Sequence, residues 1–258
     1  MAGSDPGAGA GLQADLRTFQ ALGIRGATVV TAVTVQGPQG CTAVYPVAAN
    51  GVRAQARAVL DWLPVRAVKV GMLANASVAG AVADVLETLP PGVPVVLDPV
   101  LAATRGRALL DAEGRKVLLA RVLPRAACVA PNLEEEAALG GPDLASRCRD
   151  LGVALLLKGG HQEGDVLVDR LWMPDGRERT FPHPRIRTRN LHGTGCVLTA
   201  ALAARLAMGA PLEVAVGDAV TFLAAVLAAG ADLDLGDPGP VPVGLVDPGG
   251  APRDRPPG

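Results

Sequence analysis

The chain has 258 residues, 49% of them hydrophobic but only 2% aromatic, so a large core has to be filled by Ala, Val and Leu. Its 24 basic and 25 acidic side chains nearly cancel, which excludes the footprint of a nucleic-acid or anionic-membrane binder, and too few aromatics remain for a base-stacking surface. Cys41, Cys128, Cys148 and Cys196 form no C-x-x-C pair, and His161, His183 and His192 form no H-E-x-x-H; neither a zinc site nor a disulfide framework is signalled, and a reducing cytoplasm is the expected location.

Residues 1–11 read as a glycine-rich loop, and the spacing Gly7-x-Gly9-x-Gly11 fits neither G-x-G-x-x-G nor a G-K-[ST] phosphate loop. Leu12, Leu16, Phe19 and Leu22 recur at helical spacing, with Gly23 as a stop. Ala27 to Gln36 is a β-branched strand with a polar tip, broken by Gly37 to Gly40, and Val47 to Leu63 reads as a helix. The alternation continues through strand Val65 to Met72, helix Val78 to Leu89, strand Val93 to Asp98 and helix Ala112 to Leu123. A short strand Ala127 to Ala130 precedes a helix opened by Pro131-Asn132, and a helix Leu144 to Leu151 leads to strand Val153 to Lys158, ending in Gly159-Gly160-His161. Pro174-Asp175-Gly176 is a hairpin signal between Val166 to Trp172 and Arg177 to Phe181. Apolar helices are expected over Val197 to Met208 and Leu212 to Ala229. One domain over residues 1–246 and a solvated Pro/Gly-rich tail over 247–258 complete the organisation. No apolar run reaches about eighteen residues without charge, proline or glycine, and the first residues are no signal peptide, so no membrane association is expected.

Strands alternating with helices imply an α/β fold with a mostly parallel sheet covered on both faces. Such sheets bind ligands beyond the carboxyl ends of their strands. The polar residues there, Gln36, Lys69 to Met72, Asp98, Asn132 and Lys158, are therefore expected to converge on one edge. His192-Gly193-Thr194-Gly195-Cys196, leading into an alanine-rich helix, is an anion-site pattern, because first-turn N–H groups lack helical partners and the helix dipole is positive there. The same field is expected to lower the Cys196 pKa. A glycine loop feeding a buried helix, with Cys196 as a small hydrophobe, is the plainer alternative.

The segments A-G-S-D-P-G-A-G-A-G-L-Q-A-D, T-A-V-T-V-Q, V-K-V-G-M-L, V-V-L-D-P-V, A-P-N-L-E-E-E-A, L-L-K-G-G-H and H-G-T-G-C, in that order from residue 2 to about residue 230, resemble one family. It is hydroxymethylpyrimidine/phosphomethylpyrimidine kinase of thiamine biosynthesis, within the ribokinase-like superfamily. The resemblance implies a ribokinase-like α/β/α sandwich and an ATP- and Mg²⁺-dependent enzyme that phosphorylates 4-amino-5-hydroxymethyl-2-methylpyrimidine and then its monophosphate. A homodimer is common among relatives. By position, it implies that Gln36 reads the pyrimidine, with Asp15, Gly3 and Met72 beside the substrate; that Asp98 and Glu135 gather around Mg²⁺; and that Lys158 touches a nucleotide phosphate. Cys196 is implied as base for the substrate hydroxyl, with the N–H groups of Gly193, Thr194 and Gly195 stabilising the transferring phosphoryl group.

Several residues depart from the family pattern. Relatives carry an apolar first strand before the A-G-S-D segment, so the first strand is expected to be missing, through a misplaced start or a true lack. Gly7-Ala8 stands for serine-glycine, Gly37-Pro38 follows Gln36 where asparagine is frequent, and Thr104-Arg105 replaces a lysine-serine pair. A pyridoxal or pyridoxine kinase, and a non-catalytic pyrimidine-binding relative, are the competing functions.

Overall fold

The computed structural model describes residues 1–103, 107–160 and 164–245. Thr104-Arg105, His161 and the tail over 247–258 lie outside the described residues. In chain order the elements begin with β1 (Ala2–Ser4), α1 (Gly11–Ala21), β2 (Val30–Gly37), β3 (Gly40–Pro46), α2 (Ala49–Trp62), β4 (Val68–Val70), α3 (Ala76–Glu87) and β5 (Val95–Leu97). They continue with α4 (Ala112–Val117), β6 (Cys128–Val129), α5 (Leu133–Leu139), α6 (Asp143–Asp150), β7 (Ala154–Leu157), β8 (Val166–Trp172), β9 (Glu178–Pro184), α7 (Thr194–Ala207) and α8 (Leu212–Ala229). The helix expected over Ala112 to Leu123 is α4 running on through a π-helical stretch over Leu118–Val122 and a 3₁₀ turn over Leu123–Arg125.

The strands form a six-stranded sheet in order β4-β5-β6-β7-β8-β9 and a three-stranded sheet in order β1-β2-β3. Strands β4 to β7 pair in parallel, whereas β8 and β9 join antiparallel as the Pro174-Asp175-Gly176 turn requires. Successive side chains of a strand face opposite sides, and the core divides accordingly. Val95 and Leu97 pack with α2, α3 and α6, whereas Val96, between them, packs with α7 and α8. Burial on both faces is why these strands read as continuous apolar runs. Helix α8 is the one helix among the described residues long and apolar enough to cross a membrane by composition; here it packs along α7 in the core.

Two expectations change. The glycine-rich loop over 1–11 contains a strand: β1 runs parallel to β2, pairing Ala2 with Val30 and Gly3 with Ala32. Met1 also bonds β4, its amine donating to Lys69 O at 2.8 Å while Gly71 N–H donates to Met1 O at 2.9 Å. A short first strand is therefore present, and it bridges the two sheets. The second change is β3, which turns back on β2 in a hairpin where the sequence reads as a break before a helix.

Beyond Met1 the groove between β2 and β4 continues as a cavity of about 590 Å³, walled by Leu12, Phe19, Val29, Leu60, Leu63 and Val65 among others. A variant carrying four β-branched apolar residues ahead of Met1 is expected to extend β1 into this space. Burying two or three of those side chains, less their ordering entropy, is worth on the order of 2–4 kcal/mol, read as a raised denaturation midpoint.

Candidate active site

The site is built where the strands end. Asp98 and Lys158 directly follow β5 and β7, Asn132 stands three residues past the end of β6, and Asn132 and Lys158 are themselves bridge partners. Asn132 caps α5 reciprocally: its side chain accepts the Glu135 N–H at 2.8 Å, and Glu135 Oε2 accepts the Asn132 N–H at 2.8 Å. That box holds Glu135 beside Lys158, whose Nζ lies 3.6 Å from Glu135 Oε2 and donates to Asp98 Oδ1 at 2.8 Å. Thr199, one turn into α7, donates to Asp98 Oδ2 at 3.0 Å.

The charges in this cluster follow from those contacts. Burial works against the ionised Asp98, but Lys158, Lys69 and the Thr199 hydroxyl outweigh it and hold the carboxyl below the usual range. Asp98 and Glu135 in turn keep Lys158 protonated despite its burial. Glu135 moves upward, because burial and the Asp98 charge exceed what Lys158 returns.

Helix α7 points its first turn into the cluster. Gly193 is its N-cap with φ +90°, a left-handed conformation, and a Cβ there would overlap the Gly9 carbonyl. A Cβ on Gly195 would stand 3.2 Å from Lys158 Nζ and 4.0 Å from Asp98 Oδ2. The open N–H groups of the first turn and the Lys158 ammonium therefore face the same small volume, which suits a phosphate. Cys196 is the next residue of the turn, close enough to Lys69, Asp98 and Asp15 for their charges to act on its thiol. Its thiol is not lowered as expected: burial, with the Asp98 and Asp15 charges, pushes it up to about 11 against the pull of Lys69.

A second hollow, of about 150 Å³, opens beside this cradle and is lined by Asp5, Gln36, Pro38, Cys41, His192 and Pro240 among others. Gln36 therefore stands at a pocket wall, and His192, directly before Gly193, joins the pocket to the phosphate cradle. Met72 and Gly3 touch each other behind the pocket, where a Cβ on Gly3 would meet Met72 Sδ at 2.7 Å; Met72 packs with Ala32, Cys41 and Leu109. Asp15 is not at the pocket. It is buried in an ion pair with Lys69 at 2.8 Å, their side chains 4% and 2% exposed.

Three contributors were not singled out from the sequence alone: Asp5, whose carboxylate ties down its own loop, His192, and Thr199. The histidine stands inside H-G-T-G-C, and its chemistry shows only where the fold brings Asp5 and Gln36 to it; nothing in a lone Thr199 marks it.

A family model described as phosphomethylpyrimidine kinase matches residues 5–242. The chain belongs to the phosphomethylpyrimidine kinase family. It is 44% identical over 247 residues to a hydroxymethylpyrimidine/phosphomethylpyrimidine kinase of Rhizobium meliloti, covering 92% of each chain. Among solved structures, the fold of this kinase superposes on the ADP complex of Bacillus subtilis pyridoxal kinase with a TM-score of 0.78 at 30% identity, covering 88% of this chain and 89% of the other. On phosphomethylpyrimidine kinase of Clostridium difficile the TM-score is 0.71 at 31% identity, covering 84% and 93%. The ribokinase-like α/β architecture expected from the motifs is thus shared with these enzymes.

Proposed function

We propose that this kinase transfers the γ-phosphoryl group of ATP to the hydroxymethyl oxygen of 4-amino-5-hydroxymethyl-2-methylpyrimidine, and then phosphorylates the monophosphate to the diphosphate. The observation that carries this reading is the first turn of α7, which faces Lys158 and Asp98 through Gly195 and follows directly on His192 in the wall of the Gln36 pocket. A ring held against Gln36 shares its pocket wall with His192, the residue before the cradle's Gly193. In the transfer an oxygen–phosphorus bond forms as the bond to the ADP oxygen breaks, and the hydroxyl proton leaves. Gly193, Thr194 and Gly195 supply N–H groups to the charge that spreads over the phosphoryl oxygens, Thr194 by leaving its 3.3 Å bond to the Leu191 carbonyl, with Lys158 as the cation beside them.

Mg²⁺ fits this site in one way. Asp98 and Glu135 share Lys158, and no group of three acidic, histidine or cysteine side chains could hold a metal among the described residues. Two carboxylates suit an ion that arrives on the nucleotide phosphates and keeps several waters; Asp98 and Glu135 would hold it. Bound there, it would neutralise charge on the phosphates.

Cys196 stands as acceptor of the hydroxyl proton. With its thiol near 11, only a small thiolate fraction exists at neutral pH, so kcat is expected to climb as pH rises from 7 to 9. Cys196→Ala should lower kcat by about 10²–10⁴-fold and flatten that climb, measured as ADP release. Near-wild-type turnover in the variant would remove the thiol from the chemistry.

The higher TM-score with pyridoxal kinase favours a second reading, phosphorylation of pyridoxal at the same pocket. ADP release with the hydroxymethylpyrimidine and with pyridoxal, side by side, decides between them, and a preference for pyridoxal overturns the first. Calorimetric binding of the pyrimidine without ADP production would leave a binding protein. The cytoplasm is the proposed location, in keeping with four free cysteines. A homodimer is proposed through the outer face of β2 and β3, where Val33, Val35 and Tyr45 are 48%, 47% and 63% exposed; sedimentation of the wild type against Tyr45→Lys tests it.

A further inference from the structure

Gln36 does not stand alone in its pocket. Its amide lies 3.0 Å from His192 Nε2, and the same nitrogen lies 2.9 Å from Asp5 Oδ2. A single imidazole nitrogen cannot donate to one neighbour and accept from the other at once. Asp5 decides which it does. Its carboxylate is 4% exposed and accepts the Gly7 N–H on Oδ1 at 3.0 Å and the Gly9 and Ala10 N–H groups on Oδ2 at 3.1 and 2.8 Å. Three backbone donors aimed at one carboxyl hold it ionised. Burial opposes this, but the His192 hydrogen bond and the backbone donors outweigh it and keep Asp5 below the usual carboxylate range.

An ionised carboxylate only accepts, so His192 Nε2 carries a hydrogen. A protonated Nε2 has no lone pair for the Gln36 NH₂ group, and the end of the amide that satisfies it is the carbonyl oxygen Oε1. Half a turn of the amide exchanges the two ends without moving the rest of the side chain. Among the described residues Gln36 makes no other side-chain hydrogen bond, so its NH₂ group is the end left for a ligand.

We propose that Asp5 and His192 are positioning residues that lock the Gln36 amide with Oε1 turned to the imidazole, so that Gln36 meets its ligand as a donor. The group it selects is then an unprotonated nitrogen of a heteroaromatic ring. An exocyclic amino group, itself a donor, is not what the freed NH₂ recognises. The inference rests on the pyrimidine reading above for its substrate, and on the pocket geometry alone for the lock.

The lock is read without turnover by nitrogen-15 NMR of histidine-labelled protein. His192 is expected with its hydrogen on Nε2, and a bare Nε2 with the hydrogen on Nδ1 overturns the proposal. Kinetically, His192→Leu is expected to raise the KM for the pyrimidine about tenfold, the worth of one oriented hydrogen bond. Its kcat should stay within a few-fold and its KM for ATP should not move. His192→Gln, whose amide nitrogen reaches the place of Nε2 and can donate to both neighbours, is expected to restore the KM. Equal KM values for His192→Leu and wild type, or equal defects in both variants, overturn the lock.

Should His192→Leu fail to fold, deaza analogues replace it. With each ring nitrogen changed in turn to C–H, one analogue is expected to bind wild type about tenfold more weakly. Undiminished binding of every analogue overturns the proposal. Absence of any pyrimidine binding by a protein whose His192 does carry its hydrogen on Nε2 sinks the substrate reading and leaves the lock standing.

Discussion

Gly193→Ala is expected to lower kcat by about 10²–10³-fold, the loss seen when one donor of an oxyanion-type cradle is misplaced. Two effects add at this position. The residue has φ +90°, which costs a non-glycine residue of order 1–3 kcal/mol, and the added methyl would overlap the Gly9 carbonyl. The chain can relieve the overlap only by parting the loop over residues 5–11 from the start of α7, and that swings the first-turn N–H groups away from Lys158. Single-turnover phosphoryl transfer at saturating ATP measures the loss in the chemical step, and an unchanged rate would show that the first turn takes no part in it. Gly195→Ala separates the two effects: its helical backbone carries no left-handed strain, but its methyl would stand 3.2 Å from Lys158 Nζ and 4.0 Å from Asp98 Oδ2, so a loss without the strain at Gly193 is expected there.

The second large effect concerns a residue that the motif implies beside the substrate and the structure buries in an ion pair with Lys69. Asp15→Ala is expected to destabilise the fold by about 3–5 kcal/mol, because it leaves the Lys69 ammonium buried without its partner. Replacing both, as Asp15→Leu with Lys69→Met, should recover most of that loss, since two apolar side chains of similar volume need no compensation. The same double variant removes both Lys69, which lowers the Cys196 thiol, and Asp15, which raises it less, so the thiol should move further up and turnover at neutral pH should stay low although the protein is stable. Urea denaturation followed by a pH–rate profile separates the two outcomes. A single Asp15→Ala variant of normal stability with a raised pyrimidine KM would return Asp15 to the substrate.

Much of this arrangement was legible in the residues. The alternation of apolar runs marked the parallel strands, and rising polarity at their carboxyl ends marked Asp98, Asn132 and Lys158. Asn132 and Glu135 stand three apart, which is the spacing of a capping box, and the structure forms it. What escaped was of two kinds. Strands β1 and β3 are short or carry turn residues at their ends, so Gly37 to Gly40 read as a stop when it is the tip of a hairpin. The Cys196 pKa and the burial of Asp15 depend on what packs around them, which no local pattern reports. Each was read from its immediate neighbours: what Asp15 lacked was its distant partner Lys69, and what Cys196 lacked was the burial and the Asp98 and Asp15 charges that raise its thiol.

The bond between Asp5 and His192 spans 187 positions, and that between Gln36 and His192 spans 156. Closing them joins the first loop of the chain to the start of its penultimate helix, so the ligand pocket is among the last features a folding chain can complete. A nascent chain that has not yet emerged past α7, or a fragment cut before it, has a β2–β3 hairpin but no walls around Gln36. Ligand then binds the finished fold alone and holds it shut, by RT ln(1 + [L]/Kd). Proteolysis of the partly opened protein should slow in proportion as the pyrimidine is added, most of all at cuts in the segment between β9 and α7.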